Sequence, residues 1–189
     1  MKILITGLGS IGQRHARNLR TILGDRAELI AWRTRNLELP PELSGAVRQV
    51  PDLAAALSEQ PDAVFITNPS SMHLPVAQAA ADAGCALFIE KPLAHTWEGV
   101  ERLIQTVERR GSVAMLGYQM RFHPGLRRLK TLLHAGAIGR TVSARLDFGE
   151  YLPDWHPYED YRESYAARRS LGGGVLLSQI HEFDYLCWL

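Results

Sequence analysis

Three glycines near the N-terminus constrain the fold more than any other feature of the chain. Gly7, Gly9 and Gly12 give the spacing G-x-G-x-x-G directly after a short apolar run at residues 3–5. Apolar runs rich in β-branched residues predict a buried strand, and the apolar spacing of residues 11–23 predicts a helix. A strand, a glycine-rich bend and a helix in this order are typical of a dinucleotide-binding unit.

Each glycine has its own physical role in such a bend. Gly7 permits the tight turn off the strand, Gly9 leaves room for a pyrophosphate against the backbone, and Gly12 lets the helix pack closely. The N–H groups of the first helical turn, and its positive dipole end, then face the phosphates. The pattern therefore predicts a phosphate site formed by these glycines with Ser10 and Ile11, with Ser10 also as the helix cap. The alternative is a glycine-rich turn that binds nothing.

The residues after the second predicted strand, at 27–32, bear on which nucleotide would bind. A carboxylate at this position holds the free 2′-hydroxyl of NAD. Here the chain has Arg33, Thr34 and Arg35 instead. Guanidinium groups form charge-assisted bidentate bonds to phosphate, so these residues favour NADP over NAD. The alternatives are a solvated basic turn, and NAD bound without the carboxylate.

Strands and helices alternate from residue 2 to about residue 118, which predicts an α/β fold with a doubly wound parallel sheet and right-handed crossovers. The predicted strands lie at residues 3–5, 27–32, 46–50, 63–67, 84–90 and 113–118. The predicted helices lie at residues 11–23, 52–60, 75–83 and 96–110, with Thr96 as a cap for the last of them.

The pattern changes after residue 118. A helix is predicted at 125–135, a strand at 141–149, an aromatic-rich loop at 151–165 and an apolar helix at 175–189. One strand and two helices cannot form a core of their own. We therefore expect a nucleotide-binding domain at residues 1–120 and a partial α+β domain at 121–189. The chain is then a truncated form of a longer protein, or its tail packs on a partner.

Composition excludes several classes of protein. Of the 189 residues, 46% are hydrophobic and 22% charged, and the net charge is +1, which offers no basic field for nucleic acid. Cys85 and Cys187 stand in apolar segments and indicate a reducing compartment. Neither a signal peptide nor an apolar run of membrane-spanning length is present. These features predict a cytoplasmic protein with no nucleic-acid partner, no membrane partner and no metal site.

Four further motifs complete a resemblance to a known family. The most specific is Glu90-Lys91-Pro92 at the end of a predicted strand. It is supported by Thr67-Asn68-Pro69 with His73, by Gly117-Tyr118 leading to Arg121-Phe122-His123-Pro124, and by Gly172-Gly173-Gly174 leading to His181-Glu182-Phe183-Asp184. With these motifs the chain resembles the Gfo/Idh/MocA oxidoreductases, relatives of glucose-fructose oxidoreductase and inositol dehydrogenase. The resemblance implies a Rossmann domain, followed by a domain whose large open sheet is only partly present here and is often used to form homo-oligomers.

The resemblance also implies a reaction. In this family, hydride passes between nicotinamide and a sugar, sugar nucleotide or cyclitol, and the lysine of the E-K-P motif helps to move the hydroxyl proton. That role falls on Lys91, with a cis peptide before Pro92. From the residues alone, a lysine at the end of a buried strand would be partly desolvated, which lowers its pKa toward the range for proton transfer. The alternative for Lys91 is an ordinary surface lysine.

His181 matches the family's second acid/base. Many members carry an aspartate four residues before this histidine, but here that position is Leu177. His181 would therefore act alone, be oriented by Asp184, or be supported by Glu182. The alternative for His181 is a core histidine with no role in catalysis.

The resemblance assigns the remaining site residues. Those expected at the cofactor, besides the glycine bend and residues 33–35, are Thr67, Asn68, Pro69, His73, Glu90 and Lys91. Those expected at the substrate are Lys91, Arg121, His123, Trp155, His156, His181 and Asp184; packing of a loop is the alternative for Trp155. Two other functions stay open at this point, a nucleotide-binding module without catalysis and a lyase or glycosidase that uses bound nicotinamide transiently.

Overall fold

A computed structural model describes residues 1–33, 38–155 and 160–189 of the chain. These residues form two compact units, Met1–Leu116 and Gly117–Leu189, so the first unit ends slightly before the predicted boundary at residue 120. Three residues with predicted roles, Thr34, Arg35 and His156, lie outside the described residues. Across the described ranges, none of the helices has the length and apolar character that a bilayer crossing requires.

The first unit contains a parallel sheet of six strands within the described residues. They are β1 Lys2–Thr6, β2 Glu28–Trp32, β3 Val47–Val50, β4 Ala63–Ile66, β5 Ala86–Ile89 and β6 Ala114–Leu116. Their order in the sheet is β3-β2-β1-β4-β5-β6, and all neighbouring pairs are parallel. This confirms the predicted doubly wound sheet. The order reverses between β1 and β4, and ligands bind at the carboxyl ends of strands at such a switch point.

Three neighbouring strands end level with one another at this point. Thr6 of β1 lies opposite Ile66 of β4, and Ile66 lies opposite Ile89 of β5. The loops that leave these strands therefore begin side by side at one edge of the sheet.

Helices cover both faces of the sheet, as the alternation of side chains along β1 requires. Helix α1 spans Ser10–Leu23, α2 Leu53–Ser58, α3 Ser70–Asp82 and α4 Val100–Arg110. Ile3 and Ile5 pack with Ala16 of α1 on one face. Leu4 belongs to the cluster on the other face, which includes Leu103 of α4 and, from α3, Val76, Ala77 and Ala80.

Three predicted helix starts are wrong. Ser10 is the first residue of α1 rather than its cap, because Gly9 is the N-cap and makes no side-chain bond. Helix α3 begins at Ser70, so Pro75 lies inside it rather than at its start. Helix α4 begins at Val100 after Gly99, whose φ of 87° turns the chain, and Thr96 therefore does not cap it.

The second unit has less regular structure than its sequence pattern predicts. Among its described residues, the α-helices are α5 Pro124–His134, α6 Val175–Ser178 and α7 Ile180–Trp188. The predicted strand at 141–149 is wrong, since this segment is exposed and pairs with no neighbour in the described chain. An alternating pattern gives a strand only where another strand satisfies its backbone hydrogen bonds. The single helix predicted at 175–189 is interrupted at Gln179, which has φ −103° and ψ 34°.

Candidate functional site

The glycine bend leaves β1 at the switch point and is held from both sides. Gly7 has φ 94°, and its N–H donates to the carbonyl of Trp32 at the end of β2, at 2.7 Å. On the other side the Thr67 hydroxyl, after β4, donates to the carbonyl of Gly7 at 2.8 Å. A Cβ on Gly7 would lie 3.3 Å from the backbone of Asn68. The bend is therefore fixed between the ends of two neighbouring strands.

Gly9 and Gly12 have opposite surroundings. A Cβ on Gly12 would lie 2.2 Å from the carbonyl oxygen of Gly7, so only glycine lets α1 approach the bend this closely. A Cβ on Gly9 would have nothing within 4 Å. Packing within the protein therefore does not require a glycine at position 9. The open face of Gly9 lies at the start of α1, whose first turn contains no acidic residue.

The start of α1 is suited to bind an anion. The first N–H groups of a helix have no partner within the helix, and here they belong to Ser10, Ile11 and Gly12. The partial positive charge of the helix dipole acts at the same end. Open backbone at Gly9 beside these donors is the geometry that a pyrophosphate group requires, and the residues present therefore fit a dinucleotide.

Residues 33–35 were predicted to determine whether NAD or NADP binds, and of these the structure describes Arg33. It is half-buried and directly follows Trp32, the residue that accepts from Gly7. Its position one residue past that contact lies at the same edge of the sheet as the bend.

The loop after β4 is tied to the bend by side chains. The Thr6 hydroxyl donates to Oδ1 of Asn68 at 3.0 Å, while the Thr67 hydroxyl reaches the carbonyls of Thr6 and Gly7. Pro69 then forms the N-cap of α3. Of the four residues predicted here for the cofactor, Thr67, Asn68 and Pro69 therefore lie beside the bend.

His73 is buried beneath this loop, with 1% of its surface exposed. Its Nδ1 lies 2.7 Å from the carbonyl oxygen of Pro92, and its Nε2 lies 2.8 Å from that of Asn68. The ring thus joins the loop after β4 to the turn after β5. Burial lowers the pKa of His73, although both carbonyls act in the opposite direction. In the structure His73 therefore stabilises both loops through these two contacts.

Lys91 lies in the turn after β5, at the same edge of the sheet. The peptide bond between Lys91 and Pro92 is cis, as predicted, and the Lys91 side chain is half-buried. The carboxylate of Glu90 is held at both oxygens. Its Oε1 lies 2.7 Å from Nε2 of His15 on α1, and its Oε2 accepts from the N–H of Lys91 at 3.2 Å. Sequence reasoning missed His15; its signal is helical spacing, since residues 12, 15, 16 and 19 share one face of α1.

In the second unit, His181 on α7 contacts a residue that sequence reasoning also missed. Nε2 of Gln119 lies 3.1 Å from Nε2 of His181. An amide nitrogen is a donor, so it is a suitable partner for this ring nitrogen. The ring of Tyr118 stands edge-on to His181, with ring centroids 6.2 Å apart, and burial raises the pKa of Tyr118. Gln119 thus gives His181 a polar partner that is not a carboxylate.

Asp184 is paired with Arg121. Nη2 of Arg121 lies 2.5 Å from Oδ1 of Asp184 and its Nε lies 3.0 Å from Oδ2, while the Asp184 side chain is only 5% exposed. The hydrogen bond to Asp184 raises the pKa of Arg121. The guanidinium that was predicted to contact substrate therefore already has a carboxylate partner.

The two other described candidates for substrate contact have local roles in the second unit. His123 caps α5, because its Nδ1 accepts from the N–H of Gly125 at 3.2 Å. Trp155 is half-buried at the end of a short helical turn, Leu152–Asp154.

A parallel sheet of this order, with a glycine bend at its switch point, defines a dinucleotide-binding α/β unit. The chain belongs to the Gfo/Idh/MocA oxidoreductase family, which has an NAD-binding Rossmann fold and whose model matches residues 1–118. The resemblance found in the sequence is thereby confirmed.

Similar proteins include dehydrogenases of cyclitols and sugars. Inositol 2-dehydrogenase 3 of Saccharopolyspora erythraea is 31% identical over 195 aligned residues, which cover 100% of this chain and 53% of that protein. D-xylose 1-dehydrogenase (NADP(+)) of Haloarcula marismortui is 37% identical over 87 residues, 46% of this chain and 24% of that protein. The crystal structure of scyllo-inositol dehydrogenase from Lactobacillus casei, with bound NAD(H) and scyllo-inositol, matches with a TM-score of 0.62 and 33% identity, over 74% of this chain and 42% of that one.

The chain therefore spans about half the length of the first of these relatives and a smaller share of the others.

Proposed function

We propose that this protein is an NAD(P)-dependent oxidoreductase that transfers hydride between nicotinamide and a hydroxyl-bearing carbon of a cyclitol, sugar or sugar nucleotide. The observation that carries the proposal is the open backbone of Gly9 at the N-terminal end of α1, beside the half-buried Lys91 turn on the same sheet edge. The relatives named for inositol and xylose support the substrate class.

The residues of the site then have three roles: binding the pyrophosphate, binding the 2′-phosphate and moving the hydroxyl proton. The amides of Ser10, Ile11 and Gly12 bind the pyrophosphate at the open backbone of Gly9, and Arg33 binds a 2′-phosphate, so that NADP is the favoured cofactor. The bound nicotinamide supplies the carbon that accepts or gives hydride. Lys91 as a neutral amine takes the hydroxyl proton during oxidation, and as an ammonium it returns that proton during reduction.

We also propose His181 as a second proton-handling group. An imidazole can take up and release a proton near neutral pH, and Gln119 gives this ring a polar partner at 3.1 Å. The protein is further proposed to act in the cytoplasm, on the basis of its two cysteines in apolar segments, and to form a homo-oligomer, on the basis of the family resemblance.

Calorimetric titration with NADH and NADPH tests the phosphate site. We expect Gly9→Ala to weaken binding of both by about tenfold or more, because a methyl group occupies the open face that the pyrophosphate approaches. The backbone of Gly9, with φ −69°, accepts alanine without strain. Gly149→Ala is the matched control, since it also adds a methyl group with nothing within 4 Å. Equal affinity of Gly9→Ala and the unchanged protein would contradict the proposed site, as would no binding of either nucleotide.

Turnover tests the role of Lys91. We expect Lys91→Met to keep nucleotide affinity but to lower kcat by about 10²-fold or more, because the side chain can no longer carry a proton. Formation of NAD(P)H is followed with inositols, aldoses and nucleotide sugars. Retained turnover would remove Lys91 from the reaction. Nucleotide binding without turnover on any of these substrates would favour a non-catalytic module, and release of a leaving group at constant cofactor would favour a lyase.

A further inference from the structure

A hydrogen-bonded pair, His15 and Glu90, joins the proposed nucleotide-binding helix to the turn that carries Lys91. Nε2 of His15 and Oε1 of Glu90 lie 2.7 Å apart, and their side chains are 16% and 12% exposed. The other oxygen of Glu90 accepts from the backbone N–H of Lys91. Since His15 lies one turn after Gly12 on α1, one carboxylate connects the phosphate-binding end of this helix to the backbone of Lys91.

Aromatic packing fixes the orientation of the His15 ring. Its ring stands edge-on to Phe88 of β5, with centroids 4.9 Å apart, and lies 5.6 Å from Phe65 of β4. Phe65 and Phe88 are themselves stacked at 4.8 Å. The two strands therefore hold the imidazole in place with Nε2 facing Glu90. Because the ring is already fixed by this packing, the hydrogen bond to Glu90 costs His15 little further side-chain entropy.

We propose that His15 is a positioning residue for Lys91, acting through Glu90. This inference rests on the proposed function, because it gives Glu90 a role in the alignment of Lys91 rather than in direct contact with the cofactor. Without His15, the half-buried carboxylate of Glu90 loses its hydrogen-bond partner and must reorient toward water. The backbone of Lys91 then loses the acceptor that fixes it relative to α1.

Hydrogen exchange in the absence of nucleotide tests the contact itself. His15→Met fills the space beside the two phenylalanines but has no N–H, whereas His15→Gln has a similar shape and keeps a donor. We expect the Lys91 amide to exchange about tenfold faster in His15→Met, and at close to the original rate in His15→Gln. Arg17→Ala is the control on the same helix, because it removes only the exposed ion pair with Glu42, at 2.8 Å. Unchanged exchange in His15→Met would overturn the inference.

Kinetics test the consequence for catalysis. We expect His15→Met to lower kcat by about tenfold while the KM for nucleotide changes much less, and His15→Gln to restore most of the loss. A general loss of structure would move both parameters and would not be rescued by glutamine. If the unchanged protein turns over but His15→Met has the same kcat, the positioning role is wrong and the proposed function stands. If the unchanged protein binds no nucleotide, the proposed function fails, whereas the exchange experiment still decides whether His15 fixes Lys91.

Discussion

At the scale of single residues, the proposed choice between two cofactors depends on Arg33. It occupies the position where NAD-binding units place a carboxylate, one residue past the Trp32 carbonyl that holds the bend. A guanidinium there binds a 2′-phosphate but gives no comparable bond to a free hydroxyl.

We therefore expect Arg33→Asp to weaken NADPH binding by about tenfold or more and to leave NADH binding equal or stronger, because the new carboxylate repels phosphate and accepts from the ribose hydroxyl. The ratio of the two dissociation constants is the measurement. Arg48→Ala is a suitable control, since it removes an arginine that is paired with Glu28 and Glu59 in the same unit. An unchanged ratio would show that Arg33 does not bind the 2′-phosphate.

The sequence could predict individual residues where a local backbone shape requires one residue type. Gly7 and Gly12 were predictable because their positive φ or close packing admits only glycine. His15 and Gln119 were not, because each acts on a partner more than 60 positions away along the chain. Helical spacing places His15 on the inner face of α1, but nothing in the local sequence identifies the distant partner of either residue.

At the scale of secondary structure elements, His73 connects two loops that the sheet places side by side. A neutral imidazole carries one N–H and so can donate to only one of the two carbonyls that it faces. Burial nevertheless lowers its pKa, so the neutral form is favoured in the folded protein. On unfolding, His73 returns to an ordinary pKa of about 6.5 and takes up a proton more readily.

The sign of the pH effect follows from this difference. The unfolded chain binds more protons than the folded protein, so the contribution of His73 to the free energy of unfolding is present above about pH 6.5. It falls as the pH drops toward the lowered pKa, by at most about 1.4 kcal/mol per pH unit. We expect urea unfolding to show this loss in the unchanged protein and a flatter pH dependence in His73→Gln. A stability difference between the two proteins that stays constant from neutral to mildly acidic pH would contradict this account.

Elements were predictable where burial alone specifies them. The inner strands β1, β2, β4 and β5 follow from short apolar runs, since a parallel sheet covered on both faces leaves few other places for such residues. The starts of α3 and α4 were not predictable, because Pro75 and Thr96 gave strong local signals that tertiary structure overrode. Helix α3 begins at Ser70 and includes the buried His73 before Pro75, and the turn at Gly99 precedes α4.

At the scale of the whole molecule, the two units differ in how much of their secondary structure the sequence predicts. In Met1–Leu116 the alternation of strands and helices matches a sheet that satisfies its own hydrogen bonds. In Gly117–Leu189 the pattern at 141–149 describes a strand with nothing to pair with among the described residues. A pattern of side chains predicts which face would be buried, but only a neighbouring chain segment can bury it.

The level ends of β1, β4 and β5 have a consequence for how this sequence can diverge. One residue gained or lost within any of these strands would move the following loop by about 3.3 Å and turn its side chains to the opposite face. The proposed diphosphate site and the amine at position 91 would then be displaced relative to each other. Descendants of this gene should thus accumulate length changes elsewhere, and these three strands should keep a constant residue count long after their side chains have drifted.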